Sequence, residues 1–217
     1  MDNNDIINKT IQFVKNKLEG AEGGHDWFHI ERVYKNSLLI AQDEVCDLMV
    51  VKLGALLHDI ADSKFHGGDE TVGPAVARAF LEQEKLPEGI INHVIKIIEN
   101  ISFKGGKVKQ EFTSIELNIV QDADRLDAIG AIGIARAFNY GGFKNRGLYD
   151  PNLAPNLNMT KEEYKNSNAP TINHFYEKLL LLKDKMNTAS GRSIAAERHR
   201  YMENFLSQFY AEWDGEK

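Results

Sequence analysis

A chain of 217 residues with 26 Lys+Arg against 32 Asp+Glu carries a formal net charge of -6. At 42% hydrophobic and 27% charged it has the composition of an ordinary globular protein, with length for one large domain or one with an appendage. No apolar run approaches the ~18–20 residues of a membrane span. Met1-Asp2-Asn3-Asn4-Asp5 is too acidic and polar for a signal or transit peptide, so a cytoplasmic protein is expected. The single Cys46 excludes an intrachain disulfide and any multi-cysteine zinc or iron–sulfur site. The acidic balance argues against strong nucleic-acid binding through the phosphate backbone.

Apolar spacing is helical nearly throughout, and the expected fold class is all-α. Ile7, Ile11, Val14 and Leu18 follow Asp5, and Gly20 with Gly23-Gly24 ends that segment. A second helix begins near Asp26 and carries Ile30, Val33, Leu38 and Ala41. The third, Asp47 to His58, is apolar on every side apart from Lys52 and should be the central buried helix. Thr71 caps a helix with Pro74 in its first turn, and Pro87 starts another whose face is Ile90, Val94, Ile97, Ile98 and Ile101. Thr113 and Ser114 open a helix through Ile119 to Asp124, and an amphipathic stretch covers Ile129 to Phe138. Between 141 and 170 the period vanishes amid three prolines, three glycines and six asparagines, which reads as a long loop over the site or a hinge. Helices over Ile172–Met186 and Arg192–Trp213 follow, with a turn at Ala189-Ser190-Gly191. The expected organisation is a core over 1–140, with the loop and C-terminal helices of 141–217 packed on the same domain.

Two His-Asp dipeptides occur, His25-Asp26 and His58-Asp59, where chance alone gives about half of one, so the dipeptide is weak evidence. Context separates them. His58-Asp59 closes the most apolar helix, where an imidazole and a carboxylate lose hydration unless something compensates; a divalent cation does. His29 lies on the preceding helix. Asp124 stands among acids at 122, 124 and 127 in an otherwise apolar helix. Two imidazoles plus two carboxylates suit manganese, iron, cobalt, nickel or zinc, and magnesium less well because of the nitrogens.

His29, His58-Asp59 and Asp124, in that order, resemble the H…HD…D signature of the HD-domain superfamily of metal-dependent phosphohydrolases. The surrounding segments His25-Asp26-Trp27-Phe28-His29, Leu56-Leu57-His58-Asp59-Ile60-Ala61-Asp62 and Asp122-Ala123-Asp124-Arg125-Leu126-Asp127 are similar to the small stand-alone bacterial members. Within these, the closest likeness is to nucleotide pyrophosphohydrolases. The resemblance implies an all-α helical bundle with a C-terminal helical extension and one divalent ion, manganese foremost, held by His29, His58, Asp59 and Asp124. It implies a small phosphorylated substrate, a nucleoside triphosphate or related nucleotide. By match to the family, Asp62 would assist the attacking water; its plainer reading is a helix-end residue bonded to Lys64.

Other assignments stay open between chemistry and structure. His25 can support a ligand or touch a phosphate, or belong to the local turn. Lys64, and Lys104 in Phe103-Lys104-Gly105-Gly106-Lys107, are candidate phosphate contacts or parts of ordinary polar loops. Asp127 can hold Arg32 or Arg125 or reach substrate. Phe138, Tyr140, Phe143 and Tyr149 can stack on a base, although aromatics at helical spacing are more often core. Some dinuclear members of the family that the chain resembles add two histidines between the HD pair and the final Asp. The only candidates are His66 and His93, and His93 lies well inside a helix with Val94 and Ile97, so the dinuclear pattern is not met and one metal is expected. Alternatives of function are a phosphodiesterase or phosphomonoesterase on the same metal site, or a nucleotide sensor without turnover.

Overall fold

The computed structural model describes residues 3–20, 26–61, 69, 71–101, 112–160, 163 and 166–217. Every regular element among them is helical, as the apolar periodicity requires. The chain forms two compact units, one running to Asp124 and one from Arg125.

In the first unit α1 (Asn3–Lys17) buries Ile6, Ile7, Thr10 and Val14, and α2 (Trp27–Ala41) buries His29, Ile30, Val33, Ser37 and Ile40. Both pack on α3 (Leu48–Leu57). Asp47 caps α3 by accepting from the amides of Met49 and Val50, and Leu53, Ala55, Leu56 and Leu57 are wholly buried. This is the central helix expected from its apolar run. Next come α4 (Val72–Gln83) and α5 (Glu88–Asn100), which pack together, with α5 also lying on α3. The buried face of α5 is Ile91, Val94, Ile95, Ile97 and Ile98, rotated from the expected one by Ile91 and Ile95 in place of Ile90 and Ile101. Thr71 occupies the N-cap position of α4 without capping it. Its hydroxyl donates to Asp69 Oδ1 at 2.7 Å, and Asp69 also accepts the Thr71 amide at 2.9 Å, a local turn that takes the side chain from the helix.

Ser114 Oγ accepts the Leu117 amide at 3.1 Å and so starts α6 (Ile115–Asp127) as expected. Gly54 sets how closely these helices meet. A Cβ there would lie 3.2 Å from Ile97 Cδ1 on α5 and 3.6 Å from Val120 Cγ2 on α6. One turn further along α3 and α6 stand His58 and Asp124, so the missing side chain brings the helices together next to both.

The second unit contains α7 (Gly130–Phe143), α8 (Thr171–Glu177), a 3-10 helix (Leu179–Lys185) and α9 (Ala189–Trp213). Phe138, Phe175 and Phe205 pack ring against ring, with centroids about 6 Å apart, and join α7, α8 and α9. Three boundaries differ from the sequence expectation. Helix α7 runs on through Gly141-Gly142 to Phe143, and Gly141 lets Thr171 approach it, the Oγ1 falling 2.2 Å from where a Cβ would be. The helix expected over Ile172–Met186 breaks at Lys178 (φ -145°, ψ -57°) into α8 and the 3-10 segment. The expected turn at Ala189-Ser190-Gly191 is the first turn of α9, capped by Thr188 Oγ1 on the Gly191 amide at 2.9 Å.

Candidate metal centre

Three helix ends supply the centre, all within the first unit. His29 lies in the first turn of α2, where Asp26 is the N-cap: extended backbone (φ -86°, ψ 174°) and Oδ1 accepting the His29 amide at 2.9 Å. His58 is the C-cap of α3, and Asp59 follows it. The candidate ligand atoms of His29, His58 and Asp59 lie within 4.8 Å of one another. The imidazole centroids of His29 and His58 are 5.3 Å apart. Asp124, near the end of α6, brings Oδ1 to 3.5 Å from His29 Nε2. His29, His58 and Asp59 thus form one cluster and Asp124 lies beside its His29 edge, although 95 positions separate His29 from Asp124.

His58 shows what this arrangement can do. Its Nδ1 lies 2.8 Å from the Ala55 carbonyl oxygen. A carbonyl only accepts, so Nδ1 carries the proton, and in the neutral ring the lone pair is on Nε2. That Nε2 is buried with no hydrogen-bond partner among the described residues. Burial pushes the imidazole below the ordinary histidine range; Asp124 and Asp59 pull it back up while the neighbouring His29 ring pushes further down. A neutral imidazole with a fixed tautomer and an orphaned buried lone pair is the state a metal ligand needs. Without a cation, leaving such an atom unsatisfied costs roughly 1–3 kcal/mol. The two imidazoles and the Asp59 carboxylate, with Asp124 beside His29, fit a divalent ion.

His93 points elsewhere. Its Nε2 is 2.9 Å from Ser114 Oγ and 3.3 Å from Glu116 Oε2, and Glu116 Oε1 accepts the Asp47 amide at 2.9 Å. That buried carboxylate ties the start of α3 to α6. Of the remaining candidates, His25, Asp62, Lys64, His66 and Lys104 lie outside the described residues. Asp127 is buried and pairs with Arg136 on α7, a partner that neither Arg32 nor Arg125 anticipated. Among the candidate base-stacking aromatics, Phe138 belongs to the phenylalanine core of the second unit. Tyr149 packs on Phe209, Tyr210 and Trp213. Tyr140 and Phe143 are exposed beneath Lys144. The sequence reading also missed the Ala55 carbonyl as the group that orients His58; its signal is the i−3 position on the same helix.

No helix among the described residues is long and apolar enough to cross a membrane. Residues 27–129 match the family model of the HD domain. The uncharacterized protein YpgQ of Bacillus subtilis (strain 168) is 40% identical over 199 residues, covering 90% of this chain and 88% of that protein. The crystal structure of an HD-superfamily hydrolase from Bacillus thuringiensis superposes with a TM-score of 0.80 at 43% identity, covering 98% of this chain and 99% of that one. The crystal structure of YpgQ in complex with ADP superposes with a TM-score of 0.74 at 34% identity, covering 95% and 97%. The H…HD…D residues, their meeting at three helix ends and these likenesses agree: the chain belongs to the HD-domain superfamily of metal-dependent phosphohydrolases.

Proposed function

We propose that this chain hydrolyses a nucleoside triphosphate or related nucleotide, with one divalent ion, manganese foremost, held by His29, His58, Asp59 and Asp124. The observation that carries the reading is the buried, unpartnered Nε2 of His58, fixed as a lone-pair donor by the Ala55 carbonyl beside a second imidazole. The complex of the similar YpgQ with ADP supports a nucleotide as the substrate class. Bound here, the ion supplies Lewis acidity toward a phosphoryl oxygen and acidifies water.

The chain's own residues would do the rest. Asp62, three positions after Asp59, takes the proton as the water oxygen bonds to phosphorus and the bond to the leaving phosphate or pyrophosphate breaks. Lys64, Lys104 and His25 offset the charge on the phosphate chain. These four assignments rest on sequence position and on the resemblance.

The test is a release assay on chelator-treated protein with a panel of nucleotides, with and without Mn²⁺, measuring phosphate and pyrophosphate separately. Turnover that requires the metal and yields pyrophosphate is the expected result. Turnover indifferent to chelation overturns the metal's role. Nucleotide binding with metal but no product makes the chain a sensor instead.

A further inference from the structure

We infer that Asp26 is a positioning residue for the metal centre, acting through His29. The inference rests on the reading of His29, His58, Asp59 and Asp124 as ligands. Helix α2 begins at Trp27, and its first turn contains no acidic side chain. Asp26, just outside it, bonds its Oδ1 to the backbone amide of His29 itself, at 2.9 Å. The cap thus fixes the backbone of the ligand residue, at the point where a helix would otherwise fray. His29 is 3% exposed and has its Nε2 3.5 Å from Asp124, so a small shift of that first turn moves the imidazole against its neighbours.

Charge gives a second reason. The N-terminus of a helix carries about half a positive charge, unfavourable beside a cation. His58, by contrast, sits at the negative end of α3, which favours one. A carboxylate at the N-cap of α2 offsets the unfavourable end while making the cap bond. The first His-Asp dipeptide, uninformative as a composition signal, therefore serves the same centre as the second: His58-Asp59 supplies ligands and Asp26 aims one.

The experiment measures Mn²⁺ affinity of the full chain by calorimetry, with thermal midpoints of the metal-free protein alongside. Asp26→Ala should weaken Mn²⁺ binding about tenfold or more, the loss usual when a group supporting a ligand is removed. Asp26→Asn keeps a cap acceptor and should return to within about threefold of wild type, the remainder being the lost charge. Thr188→Ala removes the comparable cap of α9 in the other unit and should lower the thermal midpoint with unchanged Mn²⁺ affinity. Wild-type affinity in Asp26→Ala overturns the inference, and so does an Asn variant as weak as Ala. His58→Ala separates this from the parent reading: if it binds Mn²⁺ like wild type, the ligand assignment itself fails.

Discussion

Replacing His58 by Phe distinguishes a metal ligand from a histidine that merely fills the core. The side chain is 7% exposed, and the two readings differ in what its Nε2 contributes to the metal-free protein. Phe removes an unpartnered buried nitrogen, a relief of roughly 1–3 kcal/mol, and removes the bond to the Ala55 carbonyl, a loss of about 1 kcal/mol. The added volume costs about 1–3 kcal/mol in a packed site. These terms largely offset one another, so the metal-free variant should lose no more than about 3 kcal/mol relative to wild type. With metal the difference is large. At a hundredfold excess over Kd, wild type gains about 2.7 kcal/mol, or roughly 5–10 °C in thermal midpoint for a chain of this size. His58→Phe should gain none. The assay is thermal unfolding followed by circular dichroism on chelator-treated protein, with and without Mn²⁺. A metal-driven shift surviving in His58→Phe refutes the ligand assignment. A metal-free loss above about 4 kcal/mol shows that the histidine holds the core together and that its nitrogen is not an unmet cost.

Two further outcomes can be checked separately. Burial, helped by Lys178 and Arg146, lowers His174 from 6.5 to about 4, so the unfolded chain takes up the proton first. Stability is therefore fully present above about pH 6.5 and should fall by about 2 kcal/mol between pH 7 and pH 5 on this account. Denaturant midpoints at the two pH values should show a smaller drop in His174→Gln, and an equal drop removes His174 from the explanation. In the proposed site, Asp62→Asn should keep bound metal while turnover falls roughly 10²–10⁴-fold; near-wild-type turnover would return Asp62 to a structural role at the helix end.

The legible parts of the sequence were those where one strong signal had no competitor. The apolar run of α3 admits one environment, a buried helix, and His58-Asp59 at its end stands out because ionisable groups there need compensation. His29 and Asp124 joined the set through the order of the motif, because no local rule brings together positions so far apart. Helix ends were harder. Ser190-Gly191 and Gly141-Gly142 both look like breaks. Yet Thr188 caps the helix that holds the first pair and the second lies inside α7 against Thr171, a tertiary contact that leaves no trace in local composition. The run Leu179-Leu180-Leu181-Leu182 carries no period to distinguish a 3-10 helix from an α-helix. One missed signal was available: Thr160 and Glu163 exchange reciprocal backbone bonds, Thr160 Oγ1 accepting at 3.2 Å and Glu163 Oε2 at 2.7 Å. That reciprocal exchange is readable in the sequence as Thr-x-x-Glu.

The choice of metal follows from the donor atoms more than from any single distance. Magnesium prefers oxygen ligands and dehydrates reluctantly, whereas imidazole nitrogen suits iron, nickel and zinc, and manganese binds above magnesium at mixed nitrogen and carboxylate sites. Two of the four proposed donors are imidazoles, and His58 meets the site with a neutral nitrogen whose tautomer the Ala55 carbonyl fixes. An all-oxygen site would make no such use of it. Titrating chelator-treated protein with Mg²⁺, Mn²⁺, Co²⁺ and Ni²⁺, and following the thermal midpoint, should give half-maximal shifts at falling concentrations along that series. Nickel should be tightest among them and magnesium weakest, the order that nitrogen donors impose. Binding affinity and activity need not rank alike, so the titration tests the donors and leaves the choice of manganese to the release assay. If Mg²⁺ shifts the midpoint at concentrations as low as Ni²⁺ does, the nitrogens are not ligands. The ion would then be held by Asp59, Asp124 and water alone, with the two histidines beside it as neighbours.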